Sequence, residues 1–300
     1  MKNIIVTGAN GFIGLRLVNQ LLSFDNRVVA IVRKNTFESD NPNLFIVESG
    51  AEEYKNLVLP DFDYDIFYHL AWDGVASFEK DNFEKQKNNI YISEQAIYLA
   101  QRYNCKKFIG AGTVAEYVFC ENIMDFNQRQ SPNDFYGAFK VSVHYIMEVL
   151  ARKLEINFIW AVLPSTYGEG RDDNNIISYT IKSLLRGECP EYGNLEQLWD
   201  FVYVEDVAKA LRYIGDLGSP GKIYGIGSGK YLKLKNYMQI VRDLINPELE
   251  LGIGKLPEMS SKTKSSCVGI FDLVNDTGYQ GDFTFEEGIG RTIDWFKQKM

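Results

Sequence analysis

The sequence predicts an α/β fold, a doubly wound parallel sheet with a smaller C-terminal lobe, and three observations carry that prediction. Short apolar runs alternate with longer runs of helical period through the first half of the 300 residues. Those short runs are apolar on both faces, as strands covered by helices on either side must be. After Pro164 the alternation breaks into a loop of Gly, Asp and Asn, where the chain leaves the sheet.

In order, NIIVT is the first strand and FIGLRLVNQLLSF the first helix; RVVAIV, LFIV and DIFYHLA follow as strands. IYISEQAIYLAQRY is a helix, KFIGAG a buried strand, YGAFKVSVHYIMEVLARKL a long helix and INFIWAVL the strand that closes the regular series. Past STYGEGRDDNN, a helix at IISYTIKSLLRG precedes EYGNLEQLWDFVYVEDVAKAL, which crosses back to the sheet. KIYGIGSG adds a strand and turn, and FEEGIGRTIDWFKQKM ends the chain as an amphipathic helix. The expected sheet domain is 1–166 with 200–226 returning to it, and the expected lobe is 167–199 with 227–300.

Composition narrows the function. At 45% hydrophobic and 24% charged residues the chain is an ordinary globular one, and a net charge of -8 with no dense Lys/Arg run argues against a nucleic-acid or anionic-membrane surface. Cys105, Cys120, Cys189 and Cys267 are far apart, with only His69 and His144 to assist them, so reduced thiols and no metal are expected. The apolar run at the N-terminus is too short for a signal peptide or a membrane span, so the expected location is the cytoplasm.

In TGANGFIG the glycines fall at Gly8, Gly11 and Gly14, between a strand and a helix. Gly8 permits the tight turn, Gly11 lets backbone approach a pyrophosphate, and Gly14 lets helix pack on strand, which makes this a Rossmann-like dinucleotide cradle that includes Asn10, Phe12 and Ile13. The second strand ends in Val32 where NAD-binding sheets carry an acid, and Arg33 and Lys34 follow. Two cations suit a 2′-phosphate and hence NADP. A merely solvated Arg33 leaves NAD as the alternative.

Tyr136 and Lys140 stand four residues apart on one helix and share a face, so the ammonium is expected to lower the phenol's pKa and ready it for proton transfer. Thr113 ends a buried strand, where its hydroxyl emerges at the carboxyl edge of the sheet that binds ligands in open α/β folds.

TGANGFIG, DIFYHLA, the Asn89 helix, Thr113, YGAFK, PSTYGEG, DFVYVEDVAKAL and FEEGIGRTIDWF, in that order over nearly the whole chain, resemble the extended short-chain dehydrogenase/reductase family. The resemblance is to its nucleotide-sugar epimerase/dehydratase/reductase branch. It implies a lobe that binds substrate, Tyr136 as acid/base, Lys140 on the nicotinamide ribose, and Thr113 in the family's Ser/Thr position. Leu70, Ala71, Trp72 and Ala111 are implied along the cofactor, Asn89 at the active-site edge of the sheet, and Pro164 with Ser165 at the nicotinamide. Asp206 is implied to be structural. Tyr117, Asn175 and Trp199 are candidates for substrate contact, and a homodimer through the Asn89 and YGAFK helices is expected.

The residues after Thr113 separate reaction types. Dehydratases of the family carry Asp-Glu there and the enzyme that makes GDP-fucose a cysteine two residues on, whereas this chain has Val114-Ala115. Cys120 is a poor substitute for that cysteine, and His144 is expected to pack at the dimer interface. Hydride transfer alone remains: NADPH-dependent reduction of a 4-keto nucleotide sugar, or 4-epimerisation with tightly held NAD. GTVAEY, HLAW and QLWDF look like 4-ketoreductases that finish deoxysugars. A non-catalytic NADP-binding sensor is a third reading, but such relatives usually lose the tyrosine or lysine, and both persist here.

Overall fold

The computed structural model describes residues 1–118, 123–257 and 266–300; Cys120 lies outside them. The first half runs β1 (Asn3–Thr7), α1 (Phe12–Ser23), β2 (Arg27–Val32), β3 (Leu44–Glu48), β4 (Ile66–His69), α2 (Phe83–Arg102), β5 (Lys107–Thr113), α3 (Phe135–Lys153) and β6 (Asn157–Leu163). The second half runs β7 (Ser165–Tyr167), α4 (Ile176–Leu185), β8 (Leu198–Trp199), β9 (Phe201–Tyr203), α5 (Val204–Leu217), β10 (Ile223–Gly225), β11 (Leu232–Lys233), α6 (Leu234–Ile245), α7 (Phe271–Thr277) and α8 (Phe285–Lys299).

Seven strands form one parallel sheet in the order β3-β2-β1-β4-β5-β6-β10. The chain therefore reverses its direction of travel across the sheet between β1 and β4, and a crevice must open there at the carboxyl ends of the strands. Thr7 pairs with both Ile31 and His69, which fixes the register around that switch point.

Alternation along the strands sends side chains to two cores. Ile5, Phe67, Phe108 and Trp160 pack with Ile92, Ala96, Val143 and Met147 of α2 and α3. On the other face Ile4, Val6, Tyr68 and Ile109 pack with Leu17, Val18, Leu211 and Ile214 of α1 and α5. A third cluster, with Ile177, Ile181, Tyr237, Met238, Ile289 and Phe296, joins α4, α6 and α8 beside Tyr167 and Tyr203. No helix of the described residues is long and apolar enough to cross a membrane.

Candidate active site

A cleft of about 1020 Å³ opens over the carboxyl ends of β1, β2, β4, β5 and β6, and Gly8, Val32, Leu70, Thr113 and Pro164 all line it. At its floor the β1–α1 turn is built for close approach. Gly8 has a φ of 67°, and a Cβ there would stand 2.8 Å from the Ala71 nitrogen. A Cβ on Gly14 would fall 2.1 Å from the Gly8 carbonyl oxygen, so only glycine lets α1 pack on the turn. A Cβ on Gly11 would meet only the Gly8 oxygen, at 3.1 Å, and otherwise fill open cleft. No side chain caps α1 and its first turn holds no acid. Its amides and its positive potential face the cleft together, as a pyrophosphate requires. Asn10, Phe12 and Ile13 line the same stretch, so the residues present fit a dinucleotide.

The end of β2 is divided. Arg33 lines the cleft and reaches to 4.0 Å from Asp73 across it, with its side chain 80% exposed. Lys34 does not line the cleft; its carbonyl accepts a 2.8 Å hydrogen bond from Asn10 Nδ2. Asn89 also lies outside the lining. Its carboxamide accepts from the Asp73 amide at 2.8 Å and donates to the Asp73 carbonyl at 3.0 Å. Asn89 thus pins the loop that carries Trp72 and Asp73.

Thr113, Tyr136 and Lys140 meet at the centre. The side-chain N-cap Asp134, accepting from the Gly137 amide at 2.7 Å, starts α3 at Phe135, directly before Tyr136 and five residues before Lys140. That start puts both Tyr136 and Lys140 on the cleft. The Thr113 side chain is near enough to the Tyr136 phenol to favour its ionised form, and its Oγ1 accepts from the Ala115 amide at 3.3 Å. Lys140 is buried, donates to the Ala111 carbonyl at 2.8 Å, and stands 3.6 Å from the centroid of the Trp72 ring. Its Nζ is 5.9 Å from the Tyr136 ring centroid.

The electrostatics correct one expectation. The phenol is not lowered: burial pushes Tyr136 up to about 12, and the nearby Thr113 side chain and Arg171 oppose that rise without overcoming it. Burial likewise pulls the Lys140 ammonium well below its usual range, against the nearby carboxylate of Glu116. Each group has lost more hydration than its neighbours return.

Leu70, Ala71, Trp72, Ala111, Pro164, Ser165 and Trp199 also line the cleft. Trp199 Nε1 donates to Ser165 Oγ at 2.9 Å, which joins β8 to the start of β7. Two substrate candidates fall elsewhere. Tyr117 is buried, its ring packed edge-on against Phe126. Asn175 is the N-cap of α4, accepting from the Ser178 amide at 3.0 Å, behind Asp172 and Asp173. His144 is a further correction. It is buried and stacks on Trp160 at 4.8 Å and 6°, inside its own subunit, because the face of α3 that bears it turns toward β6.

Lys80, Asp134, Arg171, Asp173 and Ser266 line the cleft without having been singled out in the sequence. Asp134 is an N-cap residue type directly before an apolar-periodic run and was legible as such. Ser266 arrives from a segment far away in the chain, which no local pattern announces. Asp206 accepts from the amides of Asp282 and Phe283 at 2.7 and 3.2 Å, holding the start of α8 on α5. His69 bridges Thr7 Oγ1 and Ser93 Oγ at 2.9 and 3.1 Å. Among the described residues no group of three His, Cys, Asp or Glu is placed to hold a metal.

Comparison with known proteins agrees with this geometry. The family model described as the NAD dependent epimerase/dehydratase family matches residues 4–227. The trifunctional UDP-glucose 4,6-dehydratase/UDP-4-keto-6-deoxy-D-glucose 3,5-epimerase/UDP-4-keto-L-rhamnose-reductase of Arabidopsis thaliana is 24% identical over 316 residues. That match covers 99% of this chain and 47% of the plant protein, so the chain spans about half that relative's length. The dTDP-6-deoxy-L-talose 4-dehydrogenase (NAD(+)) of Aggregatibacter actinomycetemcomitans is 30% identical over 220 residues, covering 69% of this chain and 77% of that protein. The solved UDP-glucuronic acid 4-epimerase of Bacillus cereus, in complex with UDP-glucuronic acid and NAD, has the same fold, with a TM-score of 0.86 at 20% identity over 99% of this chain and 100% of that one. The matched segment takes in the cradle, the Thr113–Tyr136–Lys140 centre and the whole parallel sheet, and the chain belongs to the NAD-dependent epimerase/dehydratase family.

Proposed function

We propose that the protein reduces the 4-keto group of a nucleoside-diphosphate-activated deoxysugar, with NADPH as the preferred dinucleotide. One observation carries the reading. Tyr136 and Thr113 line the same cleft as the cradle, and the two positions after Thr113 are Val114 and Ala115. Moving a proton from carbon, as dehydration or epimerisation beside the ketone demands, needs an acid or base that these two side chains lack. No Cys or His is among the described residues that line the cleft. Of the carboxylates that line it alongside Glu52, Asp134 caps α3, Asp73 faces Arg33, Asp172 pairs with Lys182 and Asp173 with Arg171. The 30% identical relative, by its name, acts at carbon 4 of a deoxysugar nucleotide.

A bound nicotinamide supplies the hydride. Thr113 Oγ1, held by the Ala115 amide, and the Tyr136 hydroxyl bind the ketone oxygen. Tyr136 then gives that oxygen its proton, and burial keeps the phenol protonated near neutral pH, the form an acid requires. Lys140 holds the ribose of the dinucleotide and stabilises the phenolate left behind. NAD in the names of both the relative and the solved neighbour supports a nicotinamide dinucleotide. The preference for NADP rests on Arg33 in the lining and on the absence of an acid at the end of β2.

The solved neighbour is a 4-epimerase, which makes 4-epimerisation with retained NAD the second reading. One experiment separates them. A nucleoside-diphosphate 4-keto-6-deoxyhexose offered with NADPH in deuterated water should yield one alcohol stoichiometrically. It should carry no deuterium at C3 or C5 beyond an enzyme-free control. Interconversion of two alcohols without added dinucleotide hands the assignment to the epimerase, and excess label at either carbon shows epimerisation beside the ketone.

A further inference from the structure

The first turn of α3, which carries Tyr136, is held from outside its own helix. The amides of Phe135, Tyr136 and Gly137 donate to Asp81 Oδ1, the Lys80 carbonyl and Asp134 Oδ1 at 3.4, 3.0 and 2.7 Å. Lys80 and Asp81 belong to the β4–α2 loop, so that loop satisfies donors which a helix start leaves open. Just beyond them Phe83, the first residue of α2, packs edge-on against Phe135 and Phe139 at 5.2 and 5.3 Å. The loop itself is pinned by Gln86, whose Nε2 donates to the carbonyls of Gly74 and Glu79 at 2.7 and 3.2 Å.

This docking fixes where the Lys80 side chain goes. It lines the cleft, half-buried, with its ammonium 4.9 Å from the centroid of the Tyr136 ring. Lys140 Nζ is farther from that ring, at 5.9 Å, and is bonded to the Ala111 carbonyl. The carboxylates next to Lys80 in the chain are engaged elsewhere: Glu79 pairs with Lys85, and Asp81 accepts from the Phe135 amide. Among the described residues the Lys80 ammonium has no hydrogen bond or ion pair, and the face of the Tyr136 ring is its contact.

A cation over a neutral aromatic ring is attracted by the ring's quadrupole, and the attraction grows once the ring carries a full negative charge. We propose that Lys80 is a positioning residue that acts through Tyr136: its carbonyl holds the tyrosine's amide, and its ammonium stabilises the phenolate left when the phenol gives up its proton. The inference rests on Tyr136 as the proton donor, not on which sugar is reduced. The other charged groups around the phenol are Asp134 before α3, Lys140 on α3, Glu116 after β5 and Arg171 after β7.

The test titrates position 136 itself, without any sugar substrate. Burial pushes the Tyr136 phenol up to about 12, so Tyr136 is replaced by 3,5-difluorotyrosine, a more acidic phenol, and its fluorine resonance is followed against pH. In Lys80→Met, which keeps the carbonyl and an apolar stem and removes the charge, the midpoint should rise by roughly half a pH unit or more. In Lys80→Arg it should stay near its position with Lys80 in place. A Lys80→Met midpoint that does not move overturns the proposal and leaves Lys80 a backbone cap. A rise of equal size in Lys80→Arg makes the effect one of packing and overturns it too.

With a 4-keto sugar nucleotide and NADPH, kcat should fall about three- to tenfold in Lys80→Met, with the KM for NADPH within about twofold and most of the rate restored in Lys80→Arg. A raised KM for the sugar nucleotide, with kcat and midpoint unmoved, makes Lys80 a substrate contact and overturns the proposal. A midpoint that moves while no 4-keto sugar nucleotide is reduced retires the reaction proposed above and leaves this inference standing. An unmoved midpoint in an active reductase does the reverse.

Discussion

The Lys140 ammonium sits 3.6 Å from the centroid of the Trp72 ring while donating to the Ala111 carbonyl, so the β4–α2 loop and the β5 strand together hold the one buried cation that lines the cleft among the described residues. Trp72 is itself fixed by a 2.9 Å bond from Nε1 to Gln86. Trp72→Ala should therefore weaken dinucleotide binding roughly two- to thirtyfold, the span of a cation–π contact from exposed to desolvated. Trp72→Phe should lose less. Titration calorimetry with NADPH checks both.

Tyr136→Phe should abolish turnover with dinucleotide affinity nearly unchanged, because the ring still packs edge-on to Trp72 and only the proton is gone. Thr113→Val should cost about a hundredfold in kcat, the typical loss for one donor to a developing oxyanion. Steady-state kinetics alongside fluorescence binding separates the two effects. A Phe variant with most of its activity would remove the acid from the mechanism.

Arg33→Ala should weaken NADPH binding about tenfold and NADH binding little. Charge-assisted contacts with phosphate run to about 1.5–3 kcal/mol, and the exposure of this side chain puts it at the low end. Equal losses for the two cofactors would leave no ground for NADP.

Tyr91 on α2 and Tyr145 and Val149 on α3 are exposed apolar side chains on two helices packed against one another. A homodimer through this face is the expected solution state. Sedimentation at micromolar concentration should give a dimer, and Tyr145→Glu with Val149→Glu should give a monomer. A wild-type monomer would rule the interface out.

Asp200 is fully buried, accepts from the Ser228 hydroxyl at 2.6 Å, and is pushed up to about 7 by burial. Its folded pKa stands above its unfolded one, so between roughly pH 4 and 7 the folded chain keeps a proton that the unfolded chain has released. That contribution is full below pH 4 and fades as the pH rises to 7. Asp200→Asn should flatten the trend, gaining on wild type by on the order of 2–4 kcal/mol between pH 4 and 8 in urea unfolding. A constant gap across that range would mean Asp200 does not titrate there.

The sequence by itself determined the sheet, the cradle and the identities of Tyr136, Lys140 and Thr113. All of these are written in local periods: two-sided apolar runs, glycines at fixed offsets after a strand, and two residues one turn apart. What only the tertiary structure decided concerns groups brought together from distant segments. Cap and core, not cleft, are the places of Asn175 and Tyr117. His144 turns inward onto Trp160, Ser266 reaches the lining from the far end of the chain, and the Glu116 carboxyl is buried against the Trp160 indole N–H. The pKa of Tyr136 belongs to the same class, because it depends on how much water the assembled cleft removes from the phenol, and spacing along a helix sets which groups are near but not how far they are desolvated.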